Sequence, residues 1–311
     1  MIYINLSDRV ENSIPENFCK FPKFIKNIIY KIRKKLGVLY IKIYQDKTLI
    51  TISSINNNTL KKLEKYIKVK CVKRVCLSNL LLKDEDFICF LEGQDVKIVD
   101  GKWLFDYIVP TIISYVIDNK KETYQMQEIS ILTQDVNDIL VDNIRMLANE
   151  VKILNIITTK EPKFKKIEKE LYEENGIMLN INNNYKKSLL KSDIILNIDF
   201  SEDEFNKYDL PKKACIIQKD ENVKIISKGF EGVCILGYEI SLPRKYLKYL
   251  INFRDFNNVL LYESFIYKKT SSKNIRKEIA EDGLHILSLN GKNGKIRKSE
   301  IKNLSKNKNI S

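Results

Sequence analysis

The stretch EISILTQDVNDILVDNIRMLANEVKILNIITTKEP, residues 128–162, carries the strongest fold signal in this 311-residue sequence. It begins with an apolar run, ISILT, and after a turn it places Ile139, Ile144, Leu147 and Val151 at helical spacing. A second apolar run, KILNIIT, follows. This order predicts a strand, a helix and a second strand that lies parallel to the first.

The alternation of strands and helices continues as far as Pro243. Further strands are predicted at IMLNI, DIILNID and ACIIQ, further helices at KFKKIEKELYEEN and YKKSLLK, a capped helical turn at SEDEFNKY, and GVCILGYEISLP closes the unit. Short apolar strands separated by single helices indicate a parallel sheet covered on both faces. Right-handed crossovers between such strands give a doubly wound sheet.

Two regions flank this unit. Residues 1–123 are predicted to form a smaller α/β domain that includes a linking helix at 102–119, and residues 124–243 form the next domain. Residues 244–311 are predicted to be mostly helical, to pack back on the first domain, and to end in a basic, disordered tail. The predicted fold class is therefore α/β, with a doubly wound, mainly parallel sheet as its centre.

The first region opens with an amphipathic helix and a hairpin. Helical spacing in residues 22–36 gives an apolar stripe, which consists of Phe24, Ile25, Ile28, Ile29, Ile32 and Leu36. Lysines fill the other face, Gly37 ends the helix, and we expect the stripe to pack on a core. The runs VLYIKIY and TLITISS, separated by Gln45-Asp46-Lys47, predict a β-hairpin.

Composition excludes several kinds of site. The one histidine, His285, cannot supply a multi-histidine metal site, and the six cysteines lack metal-ligand spacing. The cysteines in KACIIQ and GVCILG are expected to be reduced and buried. The start MIYINLSDRVENS lacks the order of a signal peptide, and the most apolar window, 103–117, is too short to span a membrane. We therefore expect a cytoplasmic protein without a metal or a membrane span.

The net charge of +14 is concentrated at the two ends of the chain. Residues 1–124 carry +8 and residues 244–311 carry +10, whereas residues 125–243 carry −4. The candidates for contact with an anionic partner are Lys23, Lys26, Lys31, Arg33, Lys34, Lys35, Lys292 and Lys295. Such side chains could line a nucleic-acid backbone or an anionic membrane surface, although solvated lysines are the more common case.

Two stretches resemble the Rossmann-type NAD(P)-binding domain of the shikimate dehydrogenase and glutamyl-tRNA reductase group. ILNIITTKEPKFKKIEKELYEENGI is similar to that group's second strand, its Asn-Arg-Thr-type turn and its charged helix. LLKSDIILNID is similar to its fourth strand. The resemblance covers residues 128–243 and implies a dinucleotide held at a glycine-rich turn after the first strand.

The matching turn, Thr133 to Asp138, departs from the family because it has no glycine. Asp135 and Asp138 would repel a diphosphate, by roughly 1 kcal/mol in water and about 4 kcal/mol near a protein surface for unit charges at ~4 Å. The same aspartates could instead cap the following helix and offset its macrodipole. The family's catalytic lysine and aspartate have no counterpart in this sequence, so no catalytic residue is predicted.

Three functions remain open at this point. The leading hypothesis is a Rossmann-like protein without a usual dinucleotide site or a cofactor, which acts as a non-catalytic binding or regulatory protein with an unknown protein partner. The first alternative is an NAD(P)-dependent oxidoreductase in which NADP or NAD contacts Thr133, Gln134, Thr158, Thr159 and Lys160. In the plainer interpretation, Thr158 or Thr159 caps the next helix and Lys160 lies in solvent. The second alternative is a nucleic-acid-binding protein that uses the basic terminal regions.

Overall fold

The computed structural model describes residues 1–7, 20–44, 46–176, 178–226, 229–267 and 272–305. Several sequence expectations fall wholly or partly outside these ranges. They concern the N-terminal stretch MIYINLSDRVENS, Cys19, the hairpin residue Gln45 and the basic tail beyond residue 305.

The strands and helices follow in chain order. The strands are β1 Ile2–Leu6, β2 Tyr40–Tyr44, β3 Lys47–Ile52, β4 Arg74–Leu77, β5 Lys97–Ile98, β6 Glu128–Leu132, β7 Ile153–Ile157, β8 Asn180–Asn182, β9 Ile194–Asn197, β10 Cys215–Gln218, β11 Val233–Ile235, β12 Gly237–Ile240, β13 Ile286–Gly291 and β14 Gly294–Lys295. The α-helices are α1 Lys23–Leu36, α2 Asn57–Val69, α3 Glu85–Glu92, α4 Lys102–Lys120, α5 Asp138–Ala148, α6 Glu161–Asn175, α7 Glu202–Phe205, α8 Leu250–Phe253, α9 Asn258–Ile266, α10 Ser272–Glu281 and α11 Lys298–Lys302.

The chain forms two compact units, and each is built from two separate pieces of sequence. The first unit contains Met1–Gly101 and Arg244–Lys268, and the second contains Lys102–Pro243 and Lys269–Ser311. Helix α4, which corresponds to the predicted linking helix, belongs to the second unit.

The first unit is built on a sheet with the strand order β2-β3-β1-β4-β5. The predicted hairpin is confirmed, because β2 pairs antiparallel with β3, while the other neighbours are parallel. On one face Ile4 and Ile50 join a core with Leu63 of α2. On the other face the ring of Tyr3 contacts the ring of Phe253 in α8, with centroids 4.7 Å apart. Both faces of this sheet are therefore covered.

Helix α1 confirms the helix predicted over residues 22–36, but the expectation that its apolar stripe packs on a core is wrong. None of the residues Lys23–Leu36, all of which the structure describes, is buried. Phe24, at 72% exposed, is the clearest example. As predicted, the helix ends at Gly37, which has a φ of +60° and donates its backbone N–H to the carbonyls of Arg33 and Lys34.

The second unit is centred on a six-stranded sheet with the order β11-β10-β9-β6-β7-β8, in which every neighbouring pair is parallel. Numbered within the unit, this order is 6-5-4-1-2-3, which is the strand order of the doubly wound fold. The predicted fold class is confirmed: the protein is α/β with a Rossmann-like parallel sheet.

One element of this unit differs from the sequence prediction. YKKSLLK forms turns instead of a helix, because the Asn184 side chain accepts the backbone N–H groups of Lys186 and Lys187 at 3.1 and 3.2 Å and closes a local turn. LHILSL contributes to strand β13, which pairs antiparallel with β12 on one side and β14 on the other. The two Asn-Gly pairs of NGKNGK, residues 290–295, are typical of a hairpin turn, and this segment joins β13 to β14, with Gly294 at a φ of +95°.

Candidate functional site at the carboxyl edge of the parallel sheet

The strand order of the second unit reverses between β6 and β9. In doubly wound sheets the loops on either side of such a point separate, and they leave a crevice outside the carboxyl ends of the strands. Three connections surround this position. They are the turn 133–137 between β6 and α5, the turn 158–160 between β7 and α6, and the turn 198–201 between β9 and α7.

The turn after β6 leads directly into helix α5. Its N-cap is Asn137, which has extended backbone and a side chain that accepts the Leu140 N–H at 2.9 Å. Neither Asp135 nor Asp138 is therefore the cap, but the expectation that an aspartate offsets the helix macrodipole is confirmed at Asp138. Asp138 is the first residue of α5, where its charge favours the helix dipole, and Asp135 lies before the cap.

Asp199 occupies the position next to this turn. Its Oδ1 accepts the backbone N–H of Gln134 at 2.8 Å, and its Oδ2 accepts the backbone N–H of Asp135 and the hydroxyl of Thr133, both at 3.2 Å. The side chain of Asn197 bonds both the N–H and the carbonyl of Phe200, and so it shapes the turn that carries Asp199. A carboxylate of the protein thus accepts hydrogen bonds from the backbone N–H groups of the turn after β6.

The environment of Asp199 disfavours its charge despite these bonds. Partial burial raises the pKa of the Asp199 carboxyl above its ordinary value, and the nearby charge of Asp135 acts in the same direction. The N–H groups of Gln134 and Asp135 and the hydroxyl of Thr133 act against this rise. A second anion in this place would increase the same cost.

Gln134 connects the three turns. Its side-chain Oε1 accepts the backbone N–H of Thr159 at 3.2 Å and the hydroxyls of Thr159 and Thr158 at 2.7 and 3.3 Å. Its Nε2 donates to Oε1 of Glu204, in α7, at 3.2 Å. Because Gln134 is only 8% exposed, its side chain fills space between the ends of β6 and β7.

The Thr-Thr-Lys turn after β7 begins with the buried Thr158 and ends with the exposed Lys160. Thr158 is fully buried, and its Oγ1 accepts the backbone N–H of Lys160 at 3.1 Å. The interpretation of Thr158 or Thr159 as the cap of α6 is wrong, because Lys160 is the N-cap residue and no side-chain bond caps the helix. Pro162 in the first turn suits that helix start.

The amine of Lys160 is paired, not free in solvent. Its Nζ lies 3.4 Å from Oδ1 of Asp135, and Nζ of Lys163 lies 3.0 Å from the same atom. The hydrogen bond from Lys163 and the charge of Lys160 lower the pKa of the Asp135 carboxyl. The basic groups that could meet a 2′-phosphate are therefore already opposite a carboxylate at the surface.

The five predicted contact residues Thr133, Gln134, Thr158, Thr159 and Lys160 do come together, but the bonds they share are internal. Asp199 and Glu204 complete the network and were not identified from the sequence. A signal for them exists, since DIILNID ends in an acid and is followed by Ser201 and Glu204 at capping-box spacing. The structure has that capping box, and its bond to the Ser201 backbone N–H lowers the pKa of Glu204.

The other predicted contact residues lie elsewhere. Those of the first unit are the basic side chains of α1, namely Lys23, Lys26, Lys31, Arg33, Lys34 and Lys35. Lys292 and Lys295 are exposed at the turn between β13 and β14 in the second unit, and Nζ of Lys295 lies 4.0 Å from a carboxylate oxygen of Glu239. Neither group belongs to the network around Gln134.

The described part of the chain also bears on the metal, thiol and membrane expectations. Within it, no group of three or more His, Cys, Asp or Glu side chains could hold a metal ion. Burial raises the pKa of the Cys215 thiol to about 12, as expected for a buried cysteine, whereas Cys234 is only half-buried. No helix among the described residues is long and apolar enough to cross a bilayer.

Comparisons with known proteins add a general likeness only. No protein-family model matches the chain, and no curated protein sequence matches it. Among solved structures, D-mandelate dehydrogenase from Rhodotorula graminis is 9% identical with a TM-score of 0.38, over 76% of this chain and 81% of that one. L-tryptophan dehydrogenase from Nostoc punctiforme is 12% identical with a TM-score of 0.32, over 91% and 87%.

A third structure, the Δ1-pyrroline-2-carboxylate reductase of Thermococcus litoralis in complex with NADH and L-proline, is 10% identical with a TM-score of 0.27. The match spans 41% of each chain, about two fifths of the reductase. At these identities and TM-scores, none of the three likenesses identifies a substrate or a cofactor. The Rossmann-like assignment follows from the strand order of the second unit.

Proposed function

We propose that this protein is a non-catalytic binding or regulatory protein whose Rossmann-like unit lacks a usual dinucleotide site. The observation that carries the proposal is the position of Asp199. Its carboxylate accepts the backbone N–H groups of Gln134 and Asp135, at the turn where a dinucleotide-binding domain offers N–H groups to a diphosphate.

Electrostatics then oppose a diphosphate at this turn. A phosphate oxygen within about 4 Å of the Asp199 carboxylate is repelled by about 4 kcal/mol per unit charge near a protein surface. That energy corresponds to roughly a thousandfold loss of affinity. In the same turn, the carboxylate of Asp135 pairs with Lys160 and Lys163, the two lysines that could otherwise meet a phosphate.

Space also supports the proposal. A family glycine would let a ligand touch the backbone of the turn. Here Gln134 extends a buried side chain to Thr158, Thr159 and Glu204 instead. A cofactor would have to break these bonds before it reached the turn.

An NAD(P)-dependent oxidoreductase is the second candidate, and the observation that favours it is the 6-5-4-1-2-3 strand order shared with dinucleotide-binding domains. In this candidate Asp199 and Gln134 move when the cofactor binds. Thr133, Thr158, Thr159 and Lys160 then contact the cofactor.

Calorimetric titration of the full chain with NADH and with NADPH separates the two candidates. The proposal expects a dissociation constant above about 1 mM for both, which is a binding free energy weaker than about −4 kcal/mol. Micromolar binding of either nucleotide that is weakened by Lys160→Ala or Thr159→Ala would overturn the proposal and establish the alternative. The matched control is Lys166→Ala, because the Lys166 side chain lies on α6 and is 84% exposed.

The variant Asp199→Ala sharpens the same experiment. Removing the carboxylate frees the N–H groups of Gln134 and Asp135, and we expect inorganic pyrophosphate to bind this variant at least tenfold more tightly than the unmodified chain. Equal affinities would show that Asp199 is not what closes the turn to anions.

A further inference from the structure

Helix α1 of the first unit has two chemically different faces. Its sequence, KFIKNIIYKIRKKL, contains six basic residues and no acidic residue. Apolar side chains recur along it every three or four positions. Such a helix is usually half-buried, with its apolar face against a core.

Most of the apolar face of α1 is exposed instead. The exposed fractions are 72% for Phe24, 37% for Ile25, 42% for Ile28 and 53% for both Ile32 and Leu36. These five residues are called the α1 stripe below, and Ile29, the sixth residue of the predicted apolar face, is half-buried. An apolar surface that stays exposed along a whole helix marks an interaction site.

The sheet of the first unit does not need α1 to cover it. Ile4 and Ile50 pack with Leu63 of α2 on one face, and on the other Tyr3 packs against Phe253 of α8. On strand β2, Ile43 is 73% exposed as well. The first unit thus exposes an apolar side chain on its edge strand in addition to those of α1.

The rest of the unit holds α1 at its carboxyl end. Asn56 and Ser54 donate to the carbonyl of Lys34 at 2.9 and 3.2 Å, and Nζ of Lys62 donates to the carbonyl of Leu36 at 2.8 Å. At Gly37 a side chain would meet the backbone of α2, since a Cβ there would lie 2.4 Å from the Thr59 nitrogen. The end of α1 is thus fixed while its apolar stripe is left uncovered.

We propose that α1 binds the surface of an anionic lipid bilayer and lies in the interface, with the α1 stripe in the acyl boundary and its basic side chains among the headgroups. A helix with a strong amphipathic pattern and a lysine-rich polar face has this preference. The bilayer is the partner that uses both faces of α1 at once, because it offers apolar depth and negative charge in one surface.

Charge and polarity distinguish the bilayer from other partners. A nucleic acid would bind the basic face and leave the five side chains of the α1 stripe in water. A second copy of this chain, docked stripe to stripe, would bring two helices of charge +6 together. An anionic bilayer avoids both costs, because it removes the α1 stripe from water and carries charge opposite to that of α1.

Flotation of the full-length chain with lipid vesicles tests the proposal. We expect binding to vesicles of phosphatidylcholine and phosphatidylserine, and at least tenfold weaker binding to phosphatidylcholine alone. Binding should also fall several-fold when salt is raised from roughly 0.1 M to 0.5 M, because the Debye length shortens. In Phe24→Trp, brominated acyl chains should quench the fluorescence of the new side chain, since it reaches the acyl boundary.

Two variants and a matched control identify the surface. Ile28→Glu with Ile32→Glu places charge in the α1 stripe, and we expect it to lower the bound fraction at least tenfold. Lys31→Glu with Lys35→Glu should lower it by a similar factor. Lys166→Glu with Lys169→Glu makes the same charge change on the exposed face of α6 and should retain most of the binding. Circular dichroism of each variant checks the fold.

Several outcomes contradict the proposal. Absence of vesicle binding, or full binding by the variant Ile28→Glu with Ile32→Glu, overturns it. A dimer in solution that this double variant dissociates, without vesicle binding, would show that a second copy covers the α1 stripe. A salt-dependent shift of DNA or RNA that the double variant leaves intact, again without vesicle binding, would assign the basic face to nucleic acid.

Discussion

In the turn after β6, polar groups that this fold usually offers to a ligand are bonded within the chain. In helix α1, apolar side chains that a fold usually buries are left in solvent. The turn after β6 has the architecture of a binding site, but polar groups there form hydrogen bonds with the side chains of Asp199 and Gln134. The second has the pattern of a structural helix and lacks a buried residue.

The difference shows that the fold of a region does not by itself tell which of its side chains are available to bind a partner. Strand order places the turn after β6 where dinucleotide-binding domains hold their cofactor, yet the Gln134 side chain there bonds to Thr159 and Glu204 of the chain itself. Helical periodicity assigns α1 to a core, yet Phe24 is mostly exposed. In both regions the bonds and burial of individual side chains decide what the surface can bind.

Among the variants of the two compared regions, Gln134→Ala should have the largest effect on stability. The change removes the acceptor of Thr158, Thr159 and the Thr159 N–H, and it leaves buried polar atoms of this network without a partner. We expect a loss of about 2 kcal/mol in the free energy of unfolding, measured by urea denaturation. A loss as small as that of the exposed control Lys166→Ala would show that the turn is not held by this side chain.

Asp199→Ala should have a smaller effect, about 1 kcal/mol. The change removes bonds to the N–H groups of Gln134 and Asp135, but Asp199 lies at the surface and water can replace part of what is lost. Asp199→Asn, which keeps one acceptor oxygen and removes the charge, should lose less. The same urea measurements rank the two variants, and the reverse order contradicts the assigned role of the carboxylate.

The pH dependence of Asp199 should be smaller still. Its folded pKa is raised above the ordinary value of 3.8, so the folded state binds the proton more tightly than the unfolded state does. The stability contributed by protonated Asp199 is therefore complete below pH 3.8 and is lost as the pH rises through the folded pKa. Relative to Asp199→Asn, the unmodified chain should lose stability over the window directly above pH 3.8.

Urea denaturation of the two chains from about pH 3 to pH 7 measures this difference. Asp135, whose pKa is lowered, has the opposite linkage and changes stability below pH 3.8. A relative stability that rises with pH above 3.8 would mean that the turn's N–H groups outweigh the desolvation of Asp199.

The smallest effect is expected in α1. Ile28→Ser with Ile32→Ser removes two apolar side chains that are 42% and 53% exposed, so we expect the free energy of unfolding to change by less than about 0.5 kcal/mol. Leu63→Ala in α2, at a fully buried position, is the contrasting variant and should cost about 2–5 kcal/mol. A loss of more than 2 kcal/mol in the α1 variant would mean that the stripe packs within the chain.

The sequence predicts the parallel sheet well because each of its strands is a local signal. Apolar runs such as ISILT and ACIIQ need no partner to be recognised, and right-handed crossovers restrict their order. The N-terminal cap of α5 is harder to assign, since Asp135, Asn137 and Asp138 all carry suitable side chains. Only the backbone geometry selects Asn137.

The network at the crevice depends on contacts that the sequence does not localise. Asp199 lies more than sixty positions from Gln134 along the chain and meets it only because β9 is placed beside β6. The prediction that α1 packs on a core is wrong for a different reason. Periodicity shows that Ile28 and Ile32 share a face, but not that α2 and α8 already cover the sheet.

The division of each unit between two pieces of sequence has a consequence during synthesis. The hydroxyl of Tyr3 bonds the hydroxyl of Ser264 at 2.9 Å, so the first unit cannot finish folding until the ribosome has passed most of the second. At bacterial and eukaryotic elongation rates this delay lasts roughly ten to thirty seconds. For that time the face of the nascent sheet that carries Tyr3 lacks α8 and α9, the helices that later cover it.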